Sequence, residues 1–207
     1  MNQIILITGA SGGLGTFVTK AFLDVGALVE TVAGKVTSGD DAQAAVNTVI
    51  AKHGRIDALV HLVGAFDGGK AVSDTSDQML DKMLDLNLRV AFYMIRAVLP
   101  AMREKGAGRI LAIGSRTAVE PQPMVGAYSA SKAALVSLVK TVALENKDRG
   151  ITANVVLPGT MDTPANRKAM PTEDVSKWIQ PGQVANLLVY LASDKAAQIT
   201  GAVIPIW

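Results

Sequence analysis

The sequence predicts a doubly wound α/β fold, a parallel sheet covered by helices on both faces, and three observations point to it. Short β-rich apolar runs alternate with stretches of helical apolar spacing along the 207 residues. The first apolar run breaks into a glycine cluster that leads straight into a helical pattern. With 49% hydrophobic and only 18% charged residues, the chain can bury strands from both sides in one domain, residues 1–207.

Residues 3–8 (QIILIT) are the first strand, Gly9 to Gly15 the loop, and Phe17, Val18, Ala21 and Phe22 the apolar side of the first helix, which Gly26 stops. Ala27 to Val32 is a second strand. Asp40 and Asp41 are expected to cap a helix whose apolar face uses Ala44, Ala45, Val46, Val49 and Ile50 and which ends at Gly54. Residues 57–63 read as a buried strand, and a Gly/Asp-rich loop from Phe66 to Ser73 follows it. A long helix is expected over about 77–103, with Pro100 near a kink or the last turns, and a strand over 109–113. A helix over 128–145 repeats Ala134, Leu138, Val142 and Leu135, Val139, and a strand over 151–157 precedes a polar loop. The pattern closes with a helix over 183–192 and a strand over 202–206.

Composition removes several classes of function. Twenty Lys+Arg against 18 Asp+Glu, with no basic run, gives no nucleic-acid footprint. Zero cysteines exclude disulfides, thiolate metal sites and cysteine nucleophiles, and with only His53 and His61 no metal site is expected. No apolar run approaches the roughly 18 residues of a membrane span, and no leader pattern opens the chain, so a cytoplasmic location is expected.

Two clusters carry candidate chemistry. In Thr8-Gly9-Ala10-Ser11-Gly12-Gly13-Leu14-Gly15, glycines let backbone N–H groups approach a pyrophosphate at a helix N-terminus, although a tight strand-to-helix turn needs no ligand. The absence of a Gly-Lys-Ser/Thr ending favours a dinucleotide over a triphosphate. Downstream, Ser115 ends a strand, Tyr128 follows 13 residues later and Lys132 four after that, on one helical face. A neighbouring ammonium favours the phenolate and would bring a tyrosine toward the working range of an acid–base catalyst. The same pair also fits a surface tyrosine beside a solvated lysine.

Taken in order, Thr-Gly-x-x-x-Gly-x-Gly at 8–15, Asn87, Ser115, Tyr128-Ser129-Ala130-Ser131-Lys132 and Pro158-Gly159-x-x-x-Thr163 resemble the short-chain dehydrogenase/reductase family over nearly the whole chain. That resemblance implies a Rossmann-like fold and NAD- or NADP-dependent hydride transfer on a small carbonyl/alcohol pair. It implies Tyr128 as general acid in reduction and base in oxidation, and Lys132 holding the nicotinamide ribose and lowering the tyrosine pKa. Ser115 would orient the carbonyl oxygen, and Asn87 would sustain a water-mediated relay to Lys132 or simply mark a helix bend. Thr8, Gly9, Ser11, Gly13, Leu14, Gly15 and Gly64 would line the cofactor with Tyr128 and Lys132, while Pro158, Gly159 and Thr163 would meet its nicotinamide end. The helices over 77–103 and 128–146 would build a homodimer or homotetramer; beyond a small-molecule substrate, no nucleic acid or membrane partner is implied.

Departures leave questions open. His61-Leu62-Val63-Gly64 stands where the family usually has Asn-Asn-Ala-Gly, and His61 reads as a partly buried structural residue. Neither an acidic residue near Ala33-Gly34 nor a basic one in the glycine loop separates NAD from NADP, though Lys35 could meet a 2′-phosphate. The loop from Asp162 to Pro171 with Trp178, and Gly64-Ala65-Phe66-Asp67-Gly68-Gly69, are similar to dihydropteridine reductase of the same superfamily, so reduction of a quinonoid pterin is a second reading. A dinucleotide-binding regulator without turnover is a third.

Family members carry a further βα unit after the second strand. Here Val32 is separated from Lys35-Val36-Thr37-Ser38, similar to the end of a third strand, by Ala33 and Gly34 alone. A crossover between parallel strands needs at least about 10–12 residues. The sheet should therefore be shortened around strands 2–3, by true loss or because roughly 20 residues are missing from the chain as written, less than a full βαβ unit. The register of the motifs on both sides favours the missing segment.

Overall fold

The computed structural model describes residues 2–32 and 34–207. Six strands, β1 (Ile4–Thr8), β2 (Leu28–Thr31), β3 (Ala58–His61), β4 (Gly108–Ile113), β5 (Ile151–Pro158) and β6 (Val203–Ile206), form one sheet in the order β2-β1-β3-β4-β5-β6. Every pairing is parallel. Helices α1 (Gly15–Asp24), α2 (Gly39–His53), α3 (Asp77–Leu84), α4 (Val90–Lys105), α5 (Gly126–Glu145), α6 (Pro164–Ala169) and α7 (Pro181–Ala192) lie between them.

Period-two alternation sorts the apolar side chains onto two faces. On β1, Ile4 and Leu6 join the core under α2, α4 and α5, while Ile5 and Ile7 join the core under α1 and α7. The same division splits β4, with Ile110 and Ala112 on one side and Leu111 and Ile113 on the other. Strand order reverses between β1 and β3, and in such sheets ligands bind in the crevice beyond the carboxyl ends of the strands at that reversal. The glycine loop follows β1 and Gly64 follows β3, so both face this crevice.

Several elements differ from the sequence reading. Lys35–Ser38 forms no strand; Ser38 rather than Asp40 or Asp41 caps α2, its Oγ accepting from Asp41 N–H at 3.2 Å while the Asp41 carboxylate accepts from Ser38 N–H at 3.0 Å. Both aspartates sit in the first turn, where negative charge suits the helix dipole. Ala44 is exposed, because the buried stripe runs through Ala42, Val46 and Val49. The long helix is continuous but contains a π-turn at Asp85–Arg89, with Val90 N–H reaching back to the Asp85 carbonyl, and Pro100 lies inside α4. Part of the polar loop after β5 is the short helix α6, started by Pro164 and capped by Thr163.

The shortened sheet is as expected, and β2 is its edge. Whether the chain passes directly from Val32 to Gly34 turns on Ala33, which lies outside the described residues, as does half of the Ala33-Gly34 position read for cofactor choice. On its inner side β2 is tied to α2: Glu30 accepts from Lys52 Nζ at 2.7 Å and lies 2.7 Å from His53 Nε2. No helix among the described residues is long and apolar enough to cross a membrane.

Candidate active site

Gly9 turns the chain out of β1 at φ +74°, and a Cβ there would lie 3.0 Å from the backbone of Leu62 and Val63, so the loop presses against the exit of β3. Helix α1 then begins at Gly15 with no side chain capping its first amides. This helix start and the exposed Ser11, Gly12 and Gly13 form a surface suited to a phosphate. A Cβ on Gly13 would lie 3.2 Å from the side chain of Thr163, so the segment after β5 faces the glycine loop across the crevice. Thr163 itself is buried, and its Oγ1 accepts from Asn166 N–H at 3.3 Å. Pro158 is the buried last residue of β5, and Gly159 N–H donates to the Ile206 carbonyl at 2.8 Å.

Thr8 lies beneath the loop rather than on its surface. Its hydroxyl is 2.8 Å from His61 Nδ1, and both residues are buried. His61 is thus fully rather than partly buried, and burial, reinforced by the Lys132 charge, holds its pKa down to about 3. It is a neutral core imidazole at any physiological pH.

The Ser115, Tyr128 and Lys132 positions converge at the carboxyl ends of β4 and β5. Ser115 follows β4 and opens a 3₁₀ turn over Arg116–Ala118, its Oγ accepting from Thr117 N–H at 3.3 Å. Tyr128 stands in the first turn of α5 and brings its phenol toward Ser115, whose hydroxyl is 3.1 Å from Thr117 Oγ1. Burial pushes the phenol above its ordinary value and the Ser115 side chain pulls against that. Lys132, one turn on, is buried and donates to the Ile113 carbonyl at 2.9 Å. Burial lowers its pKa to about 8. Its ammonium is turned to the end of β4.

Asn87 sits in the π-turn, fully buried. Its Oδ1 accepts from Ala65 N–H at 2.9 Å, and its Nδ2 donates to the Ala65 carbonyl at 3.0 Å and to Ser131 Oγ at 3.0 Å. Ser131 Oγ in turn donates to the Tyr128 carbonyl at 2.7 Å. Asn87 is therefore both a helix irregularity and a clamp between the loop after β3 and the helix that carries Tyr128. Gly64 closes the cradle: a Cβ there would lie 2.8 Å from Asn87 Oδ1 and 2.9 Å from Lys132 Nζ. A backbone kept free of a side chain at Gly64, an exposed glycine loop and an uncapped helix start fit a dinucleotide laid across the crevice. No cluster of three metal-capable side chains occurs among the described residues.

Sequence reasoning missed Ser131 and the Ile113 carbonyl as parts of this site, and read Phe66 only within a loop similar to that of dihydropteridine reductase. Ser131 had a signal, since it lies within the Tyr-x-x-x-Lys turn. Phe66 touches Tyr128 edge-on, with ring centroids 5.0 Å apart, across 62 residues of chain that no local spacing spans.

Comparison with known proteins agrees with the geometry. A family model described as enoyl-(acyl carrier protein) reductase matches residues 5–206. The chain is 31% identical over 245 residues to the short-chain dehydrogenase/reductase olcF of Penicillium canescens, covering 99% of this chain and 95% of that one. It is 30% identical over 236 residues to the 3-oxoacyl-(acyl-carrier-protein) reductase FabG of Thermotoga maritima, covering 99% and 96%. Both alignments run longer than the 207 residues here, so the relatives carry segments that this chain lacks. A 3-ketoacyl-(acyl-carrier-protein) reductase from Brucella melitensis, solved in complex with NADH, superposes with a TM-score of 0.90 at 25% identity over 99% of this chain and 96% of that one.

Proposed function

The chain belongs to the short-chain dehydrogenase/reductase family, and on that footing we propose that it transfers hydride between a nicotinamide cofactor and a small carbonyl/alcohol pair with Tyr128 as acid and base. As a family member it is an NAD(P)-dependent oxidoreductase. The observation that carries the finer reading is the placement of Ser115, directly after β4, and Tyr128, in the first turn of α5, at the carboxyl edge of the sheet, one helical turn from a buried lysine.

When bound, the nicotinamide supplies or accepts the hydride at the carbonyl carbon. The protein's own groups handle the oxygen. In reduction, the phenol of Tyr128, kept protonated at neutral pH by its raised pKa, gives its proton to the carbonyl oxygen as negative charge develops there. The Ser115 hydroxyl, on the segment directly after β4, donates to the same oxygen and fixes its direction. Lys132 places a cation one turn away in a low-dielectric setting, where it stabilises the phenolate left behind. Its lowered pKa also suits it to return a proton. Asn87 acts through position, because both polar atoms of its side chain are committed to Ala65 and Ser131. Phe66 against the ring of Tyr128 keeps water from that side of the phenol.

The exposed glycine loop, Gly64 and the Gly13–Thr163 approach would hold the cofactor, with Gly159 and Thr163 toward its nicotinamide end. The test is a panel of small ketones and aldehydes with NADH and NADPH, scoring cofactor consumed against alcohol formed. One-to-one stoichiometry with at least one carbonyl is expected. Cofactor binding with no turnover across the panel would favour a dinucleotide-sensing protein instead.

A further inference from the structure

We propose that Phe66 is the platform on which the substrate lies, and that the preferred substrate carries its carbonyl on or within a flat unsaturated ring. The proposal rests on the catalytic reading of Tyr128 and adds to it the substrate class. Phe66 is 66% exposed, yet it does not sit on a loose loop. On one side Ala65 is clamped through both its N–H and its carbonyl by Asn87. On the other, Gly69 N–H and Lys70 N–H both donate to the Met124 carbonyl, at 2.8 and 3.3 Å. Met124 holds φ +68°, a left-handed conformation that side chains other than glycine rarely take, so this strap is maintained at a local cost. A large ring is thus presented to solvent by a fixed backbone, edge-on to the phenol that the chemistry uses.

The side chains packed about the ring are largely apolar. The one acid of the loop, Asp67, is taken up by Lys82 Nζ at 2.9 Å. A Cβ on Gly68 would lie 2.9 Å from Val125 and 3.1 Å from the tip of Phe66, and one on Gly126 2.8 Å from Val72, so the strap is walled by aliphatic side chains. Val72 is 78% and Met124 48% exposed, continuing an apolar rim outward. Aromatic faces pair by offset or edge-to-face contact, and methionine sulfur adapts to ring edges. A saturated group of equal size gains from the rim but not from the ring.

The experiment compares acetophenone with cyclohexyl methyl ketone on the cofactor-loaded enzyme, for the natural protein, Phe66→Ala and Phe66→Tyr. kcat/KM is measured alongside ketone binding by saturation-transfer NMR with oxidised cofactor present. The natural protein and Phe66→Tyr should favour the aryl ketone by about tenfold or more in both readouts, and Phe66→Ala should lose that preference with cofactor affinity unchanged. Equal handling of the two ketones by the natural protein, an equal loss on both in Phe66→Ala, or no detectable binding of either ketone would overturn the platform. If the binding preference follows Phe66 while neither ketone is turned over, the platform stands and the catalytic reading fails.

Discussion

Replacing Lys132 by methionine should abolish turnover and yet leave the fold as stable or more stable near neutral pH. Lys132 is 5% exposed, and its ammonium donates to the Ile113 carbonyl. Burial takes its pKa from 10.5 to about 8, so below pH 8 the folded state bears a cost of about 3 kcal/mol for keeping the charge. Between about 8 and 10.5 the unfolded chain binds more protons than the folded one, and stability therefore rises with pH across that window. Lys132→Met removes the charge but leaves the Ile113 carbonyl without its donor, a loss of about 1–3 kcal/mol. The two effects leave the variant between unchanged and about 2 kcal/mol more stable at pH 7. Urea unfolding at pH 7 and pH 9.5 isolates the group: the natural protein should gain about 2 kcal/mol relative to the variant between the two. Parallel stability curves would refute the buried-charge reasoning, whatever the activity.

Gly64→Ala puts a methyl 2.8 Å from Asn87 Oδ1 and 2.9 Å from Lys132 Nζ, so it should cost about 1–3 kcal/mol in urea unfolding and lower cofactor affinity sharply; unchanged affinity would contradict the cradle. With its pKa held to about 3, His61 lets the unfolded chain bind the extra proton below about 6.5, so stability should fall as pH drops. Between pH 7 and 4.5 the natural protein should lose about 2–3 kcal/mol more than His61→Asn, and equal acid sensitivity would show that His61 is not held neutral. Sedimentation equilibrium should give two or four times the 21.6 kDa chain mass if α4 and α5 form the expected bundle, and the chain mass alone would refute it.

Residues whose signal is local were legible in the sequence. Tyr128 and Lys132 share a helical face by spacing alone, and the run from Gln3 to Gly15 announces strand, turn and helix before any contact is known. Choices among near-equal neighbours were not: Ser38 and Asp41 close the cap of α2 because the exposed loop before them lets both side chains turn back, and composition alone makes Asp40 as good a candidate. The π-turn at Asn87 depends on partners in Ala65 and Ser131, far along the chain, which make an extra residue in the helix worth its lost regular bond. The direction of Lys132 was equally invisible, because the carbonyl that holds its ammonium belongs to Ile113 at the end of β4, 19 residues earlier in the chain. The missing unit beside β2 could be read from length because a parallel crossover has a minimum span.

Cofactor binding and hydride transfer measured together on Tyr128→Phe test the central claim most directly. That substitution removes the phenolic oxygen and keeps the ring against Phe66, so the fold and the cradle around Gly64 stay intact. In stopped-flow mixing of the reduced-cofactor complex with a carbonyl that the natural enzyme reduces, nicotinamide absorbance should decay rapidly for the natural protein. It should stay flat, or at least about a hundredfold slower, for Tyr128→Phe, with cofactor dissociation constants within about a factor of two. Hydride transfer at the natural rate in Tyr128→Phe would contradict the account.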